Sequence, residues 1–200
     1  MEANRLLKYL LTLLTAVSLS CSSNEKKEEN VSQNDSEGMR LPAGEVTYEA
    51  PAEWIAEQPS SGMRKAQFQL PGSEGAEAAE LAVFFFPGTG GSVQANLERW
   101  YGQFKQTDGS AITSAQVKTH KEMVDKLPVT TVYLSGIYLK PQSPMMMGGP
   151  VDEMPDYAML AAIAETAGGP WFFKATGPQA TIERWRPNFA QFVKTFRVKS

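Results

Sequence analysis

The stretch YAMLAAIAETAGGPWFFKA, residues 157–175, reads as two apolar strands folded around a turn. Tyr157 to Glu165 and Trp171 to Ala175 have strand lengths and strand composition. Between them, Ala167-Gly168-Gly169-Pro170 places two glycines before a proline, which suits a tight turn. A connection this short cannot cross over a sheet, so the pair is antiparallel. Alternation along the second strand sends Trp171 and Phe173 to one face and Phe172 and Lys174 to the other. The first pair reads as core, and Phe172 is a candidate for lining a recognition groove.

The same reasoning extends upstream. Ala115 to Val124 and Val129 to Leu139 predict two further strands, and Lys140 to Tyr157, rich in Pro, Met and Gly, predicts a loop. Ala79 to Phe86 is a continuous apolar run stopped by Pro87-Gly88, which predicts a central strand covered on both faces. In Arg64 to Leu70, Ala66, Phe68 and Leu70 alternate with polar neighbours, the pattern of a strand with one buried face. A short strand at Val46 to Glu49 and a Pro-rich turn around Trp54 precede it.

Two segments carry helical spacing. Ser92 is a helix cap, and Val93, Leu97, Trp100, Tyr101 and Phe104 form one apolar stripe behind it. A final helix opens at Gly177-Pro178 and aligns Ile182, Trp185, Phe189, Phe192, Val193 and Phe196. Pro187 falls inside it and predicts a kink or break between Trp185 and Pro187. Arg197 to Lys199 predicts an edge strand. Together these elements describe an α+β domain, a mainly antiparallel sheet of about six or seven strands flanked by two helices.

At 200 residues and 42% hydrophobic content the chain can bury one sizeable core. The formal net charge of -3 supplies no positive field for nucleic acid, which is set aside as a partner. The one cysteine, Cys21, allows no internal disulfide.

Arg5 and Lys8 precede the apolar run Leu10 to Val17, which ends in the small residues Ser18 and Ser20. A basic start, an apolar stretch of roughly 10 residues and a small-residue exit make a secretory signal. At about 1.5 Å per residue the run is too short to cross a hydrocarbon core of about 30 Å as a helix. From Ser22 to about Glu45 the composition is Ser, Asn, Gln, Glu, Lys and Gly, the mark of a flexible tether. The expected organisation is therefore a signal peptide at 1–20, a linker at 21–45 and one globular domain at 46–200.

The stretch Val17-Ser18-Leu19-Ser20-Cys21 resembles the lipobox of bacterial lipoproteins, in which a small residue precedes a cysteine that becomes lipidated. The family pattern has Leu three places before the cysteine and a small residue two places before it, whereas Ser18 and Leu19 stand there in this chain. The alternative is an ordinary signal peptide cut near Ser20, leaving a free thiol. The resemblance implies Cys21 as the lipid attachment site and a membrane as partner through that lipid. Ser22, in place of Asp, implies the outer membrane facing the periplasm in a Gram-negative host. Two further resemblances concern the domain. Its order of strands, mid-chain helix, more strands and a terminal helix closing on FAQFVKTFRV is similar to the Mog1/PsbP-like fold, a sheet between helices. The strings PDYAMLAAIAETAGGPWFFKATGP and MRKAQFQLPG resemble those of uncharacterised bacterial lipoproteins. The fold likeness implies an accessory protein bound to a larger assembly, and neither likeness brings an activity.

No residue pattern points to catalysis. The single His120 lies in the polar stretch Lys118 to Glu122 and reads as solvent-facing, with no second histidine to complete a zinc site. Glu74, Glu77 and Glu80 sit in a Gly/Ala-rich loop and its strand entrance and read as solvated. The PGTGGS stretch, Pro87 to Ser92, joins a strand to a helix but lacks the Lys-Ser/Thr ending of a P-loop, so a plain turn is favoured. Met145, Met146, Met147 and Met154 offer soft thioether ligands for Cu(I), against which stands a loop of gap-filling methionines. The expectation is a lipid-anchored cell-envelope protein with a non-catalytic binding or accessory role and no cofactor, its domain binding another envelope protein or a small ligand. The alternatives are an extracytoplasmic carboxylate-based enzyme or Cu(I) binding by the Met-rich loop.

Overall fold

Residues 41–72, 75–88, 90–142 and 149–199 are described by a computed structural model of the chain. The signal segment, most of the tether, Cys21, Glu74 and Met145 to Met147 lie outside those residues.

In chain order the elements are β1 (Glu45–Thr47), β2 (Ile55–Glu57), β3 (Arg64–Leu70), β4 (Ala79–Phe85), α1 (Val93–Tyr101), β5 (Phe104–Lys105), β6 (Lys118–Val124), β7 (Leu127–Pro141), β8 (Val151–Thr166), β9 (Gly169–Pro178), α2 (Gln179–Lys194) and β10 (Arg197–Lys199). Eight strands form the main sheet, in the order β2-β3-β4-β9-β8-β7-β5, with β6 also pairing β7. β1 and β10 form a separate two-stranded ladder. Every pairing is antiparallel, as the short connections require.

The two helices cover opposite faces of the sheet. Under α2, Leu81, Val83, Leu160, Ala162 and Phe173 pack against Ile182, Trp185, Phe189 and Phe192. On the other face, Val132, Leu134, Met159, Ile163 and Phe172 pack against Leu97, Trp100 and Tyr101 of α1. The central strands are apolar on alternate and intervening residues because each contributes to both cores.

Several expectations are corrected. The Pro-rich turn at Trp54 leads into the short β2, so the sheet gains an edge strand. Residues Ser114–Gln116 form a 3₁₀ turn, closed by a capping box between Thr113 and Gln116, and β6 starts only at Lys118. Phe104 leaves the helical stripe for β5 yet joins the same core as α1.

β7 runs to Pro141 and β8 starts at Val151, so strands occupy half of the stretch Lys140 to Tyr157 that composition reads as loop. The register passes from Gly136↔Tyr157 to Tyr138↔Met154, so Pro155 and Asp156 face the single residue Ile137. Asp156 takes φ 55 there, as a bulge permits, and Pro155 needs no second ladder because β9 pairs β8 only from Tyr157 onward.

α2 is continuous through Pro187 rather than broken. The proline and Glu183, whose carbonyl it leaves without its helical partner, are both exposed, so water can meet that oxygen. The lost bond and ring clash cost about 3 kcal/mol, while the proline's restriction of the unfolded chain returns up to about 1 kcal/mol. Pro187→Ala is accordingly expected to raise stability by about 2 kcal/mol, read as a higher denaturation midpoint; a midpoint at or below wild type would contradict this account.

Candidate functional site

The residues singled out in the sequence are dispersed. His120 is exposed on the outer strand β6. Glu80 pairs with Arg64 at 2.8 Å, and Glu77 accepts a 3.4 Å hydrogen bond from the Tyr157 hydroxyl, so neither is an uncommitted carboxylate. Among the described residues no group of three or more His, Cys, Asp or Glu side chains could hold a metal ion. Met154 lies on β8 opposite Tyr138.

The Pro87 to Ser92 connection is the expected strand-to-helix turn. Ser92 caps α1, its Oγ accepting from the Ala95 N–H at 3.1 Å. The buried Asn96 donates Nδ2 to the carbonyls of Gly90 at 2.7 Å and Ser92 at 2.9 Å, so the turn points carbonyls inward instead of cradling an anion with N–H groups. Phe172 lines no groove. It is 2% exposed and lies edge-on to Trp100 with ring centroids 6.0 Å apart, because its face of β9 is the one α1 covers.

Polar groups do gather on that face, next to the patch α1 covers. Alternation sends Phe172, Lys174 and Thr176 of β9 to the same side, and register sets Lys174 between Ala82 of β4 and Ala161 of β8. The Lys174 ammonium donates to Oε1 of Gln103, just beyond the C-terminus of α1. Arg99 of α1 and Arg64 of β3 add positive charge, and Glu80 of β4 opposes them. Burial, reinforced by the two arginines, lowers the Lys174 pKa to about 8, which leaves it mostly a cation at neutral pH.

The neighbouring groups are held in a network. Arg64 Nη1 donates to Oε1 of Gln67 at 2.7 Å, and its guanidinium stands 5.9 Å from the Phe84 ring centroid. Gln67, itself buried, donates Nε2 to Oε2 of Glu57 at 2.9 Å. On the adjoining strands Tyr138 and Tyr157 stack with centroids 6.0 Å apart. Burial pushes both phenols above their usual range, and the carboxylates of Glu80, beside Tyr138, and Glu77, beside Tyr157, add to it. Cationic donors and hydroxyls around a sheet floor can orient an acceptor group, which is chemistry for binding.

A concavity lies at the other end of α1. A groove of about 590 Å³ runs between its first turn and the β6–β7 hairpin, lined by Val93, Lys121, Met123, Pro128 and Thr130 among others. Its lining mixes apolar and charged side chains with no convergent set of donors.

No protein-family model matches the chain, and no curated protein matches its sequence. Among solved structures, it is similar to a protein of unknown function from Pseudomonas aeruginosa, described as a candidate regulator. That likeness has 13% identity and a TM-score of 0.46, covering 78% of this chain and 99% of the other. It is also similar to the cyanobacterial PsbP protein (CyanoP) of Synechocystis, with 14% identity and a TM-score of 0.44, covering 77% of this chain and 86% of that one.

Sequence reasoning passed over Arg64, Arg99 and Gln103 and gave Lys174 no role. One signal was available. A lysine at an alternating position between Phe172 and Thr176, in a strand with a second apolar face, has to end beneath or beside whatever covers that face.

Proposed function

We propose that the protein is a lipid-anchored cell-envelope protein whose domain binds its ligand or partner without transforming it. The observation that carries the binding half is the corner around Lys174. Its basic groups come from three separate elements, while Glu80, the carboxylate beside it, is engaged by Arg64. The anchoring half rests on Cys21, which follows a short apolar signal and precedes a polar tether. Each buried CH₂ of an acyl chain contributes about 0.8 kcal/mol, so several chains on one terminus hold a protein at a bilayer. In a Gram-negative host, Ser22 directs the protein to the periplasmic face of the outer membrane.

The anchor is tested on the protein purified from membranes of its native cells. Its intact mass is expected to show a mature chain beginning at an acylated Cys21. Cys21→Ser is expected to shift the protein from the membrane fraction to the soluble one. A freely soluble wild-type protein with an unmodified Cys21 would overturn the reading.

A further inference from the structure

We propose that the corner formed by Lys174, Arg99 and Arg64 is a binding site for an oxyanion, the carboxylate or phosphoryl group of a small ligand. This deepens the binding reading above and rests on it, while being independent of the lipid anchor.

Charge accounting within the corner leads to this site. Three basic side chains arrive from β9, α1 and β3, and Arg64 alone of them has a carboxylate in contact, Glu80 at 2.8 Å. Among the described residues, neither Lys174 nor Arg99 forms an ion pair. The partners they do have are neutral, the Gln103 amide oxygen for Lys174 and the Asn96 amide oxygen for Arg99. Lys174 is partly buried with Glu80 alone to oppose the two arginines beside it, and an amide oxygen compensates such a cation only in part, while Arg99 is exposed and offers its donors to solvent.

The ammonium has three donors, of which Gln103 takes one. The flanking floor residues, Ala82 and Ala161, bring no side-chain acceptor. Thr176, two residues along the same face, adds a hydroxyl, and the half-buried Arg64 and exposed Glu80 mark the side open to solvent. An oxyanion entering there would accept charge-assisted hydrogen bonds from Lys174 and from one or both arginines, each roughly twice as strong as a neutral one.

The site also carries a pH signature. The charged groups facing Lys174 are Arg99 from α1, Arg64 from β3 and Glu80 from β4, and β8 presents only Ala161 opposite it. Of these, Lys174 is the group that loses its charge just above neutrality, near pH 8. Binding therefore weakens as pH rises through that value.

The experiment titrates the full chain carrying Cys21→Ser with acetate and, separately, with sulfate, a phosphate mimic. Both keep constant charge from about pH 7 to about pH 9, and chloride at matched ionic strength is the control. Nuclear magnetic resonance shifts of the Lys174, Gln103 and Arg99 side chains are the readout. Saturable shifts centred on these residues are expected, with a Kd of about 1 mM or tighter. Response to acetate assigns a carboxylate ligand and response to sulfate a phosphoryl one. Lys174→Met and Arg99→Gln are each expected to weaken binding by about tenfold or more. Raising the pH from about 7 to about 9 is expected to weaken it by about tenfold, as the protonated fraction of Lys174 falls. Should Lys174→Met misfold, Arg99→Gln gives the answer, since its side chain lies nearer the surface turn of α1. Shifts that stay linear and match chloride, or variants that bind as wild type does, would overturn the proposal and leave the acylation result untouched.

Discussion

Replacing Phe173 with alanine is expected to lower the unfolding free energy by ~3–5 kcal/mol, measured as a fall in denaturation midpoint at unchanged slope. The side chain is fully buried at 0% exposure. Its ring lies 4.3 Å from that of Phe196, 5.2 Å from that of Tyr48 and 5.6 Å from that of Phe192, centroid to centroid. Removing it deletes the sheet's ring contacts with Phe192 of α2, with Phe196 and with Tyr48 after β1. The hole is hard to close, because β9 is hydrogen-bonded to β4 on one side and β8 on the other and cannot slide inward. A loss below about 1 kcal/mol would mean that the neighbouring rings collapse into the space, and the account of this core would be wrong.

Gly169→Ala is the second large effect, expected to cost about 3 kcal/mol or more. Gly169 closes the β8–β9 turn at φ 130, a backbone conformation that side chains rarely allow. A Cβ built there would also meet the Phe86 carbonyl oxygen at 2.4 Å. That carbonyl belongs to backbone just past β4, and the Gly88 N–H bonds the Gly168 carbonyl at 2.9 Å, so the two segments are held together at the point of collision. Gly168→Ala is the control. Its nearest neighbours would be Thr166 Oγ1 at 3.7 Å and the Phe85 ring at 3.8 Å, ordinary contacts, so it should stay within about 0.5 kcal/mol of wild type. Equal losses at the two positions would remove the argument from close approach.

That turn illustrates which parts of the fold can be read from sequence. Two glycines before Pro170, between apolar runs, mark the hairpin because the signal is local. Ala66, Phe68 and Leu70 give β3 by alternation, and Ser92 with Leu97 and Trp100 gives α1 by spacing, each from chemistry within a few residues. Features set by distant partners were misread. β8 starts at Val151 instead of Tyr157 because it pairs with the end of β7, although Pro155 argues locally for a loop. Pro187 should break a helix, yet it falls on the exposed face of one whose apolar side is held by the sheet.

The binding corner was the least legible feature for the same reason. Lys174, Arg99 and Arg64 meet through the order β3-β4-β9 and the seat of α1 on that sheet, and periodicity carries no information about either. Phe172 was placed on the correct face of its strand, but whether that face is open depends on where the helix lands.

The short ladder between β1 and β10 has a mechanical consequence. It joins the entry to the domain to its exit through only three rungs, Glu45↔Lys199, Val46↔Val198 and Thr47↔Arg197. Tension transmitted along the polypeptide from residue 44 while the main sheet is gripped loads those rungs one after another from Glu45↔Lys199, and peeling past the second draws Val46 out of the core under α2, so that buried side chain is what latches the ladder shut.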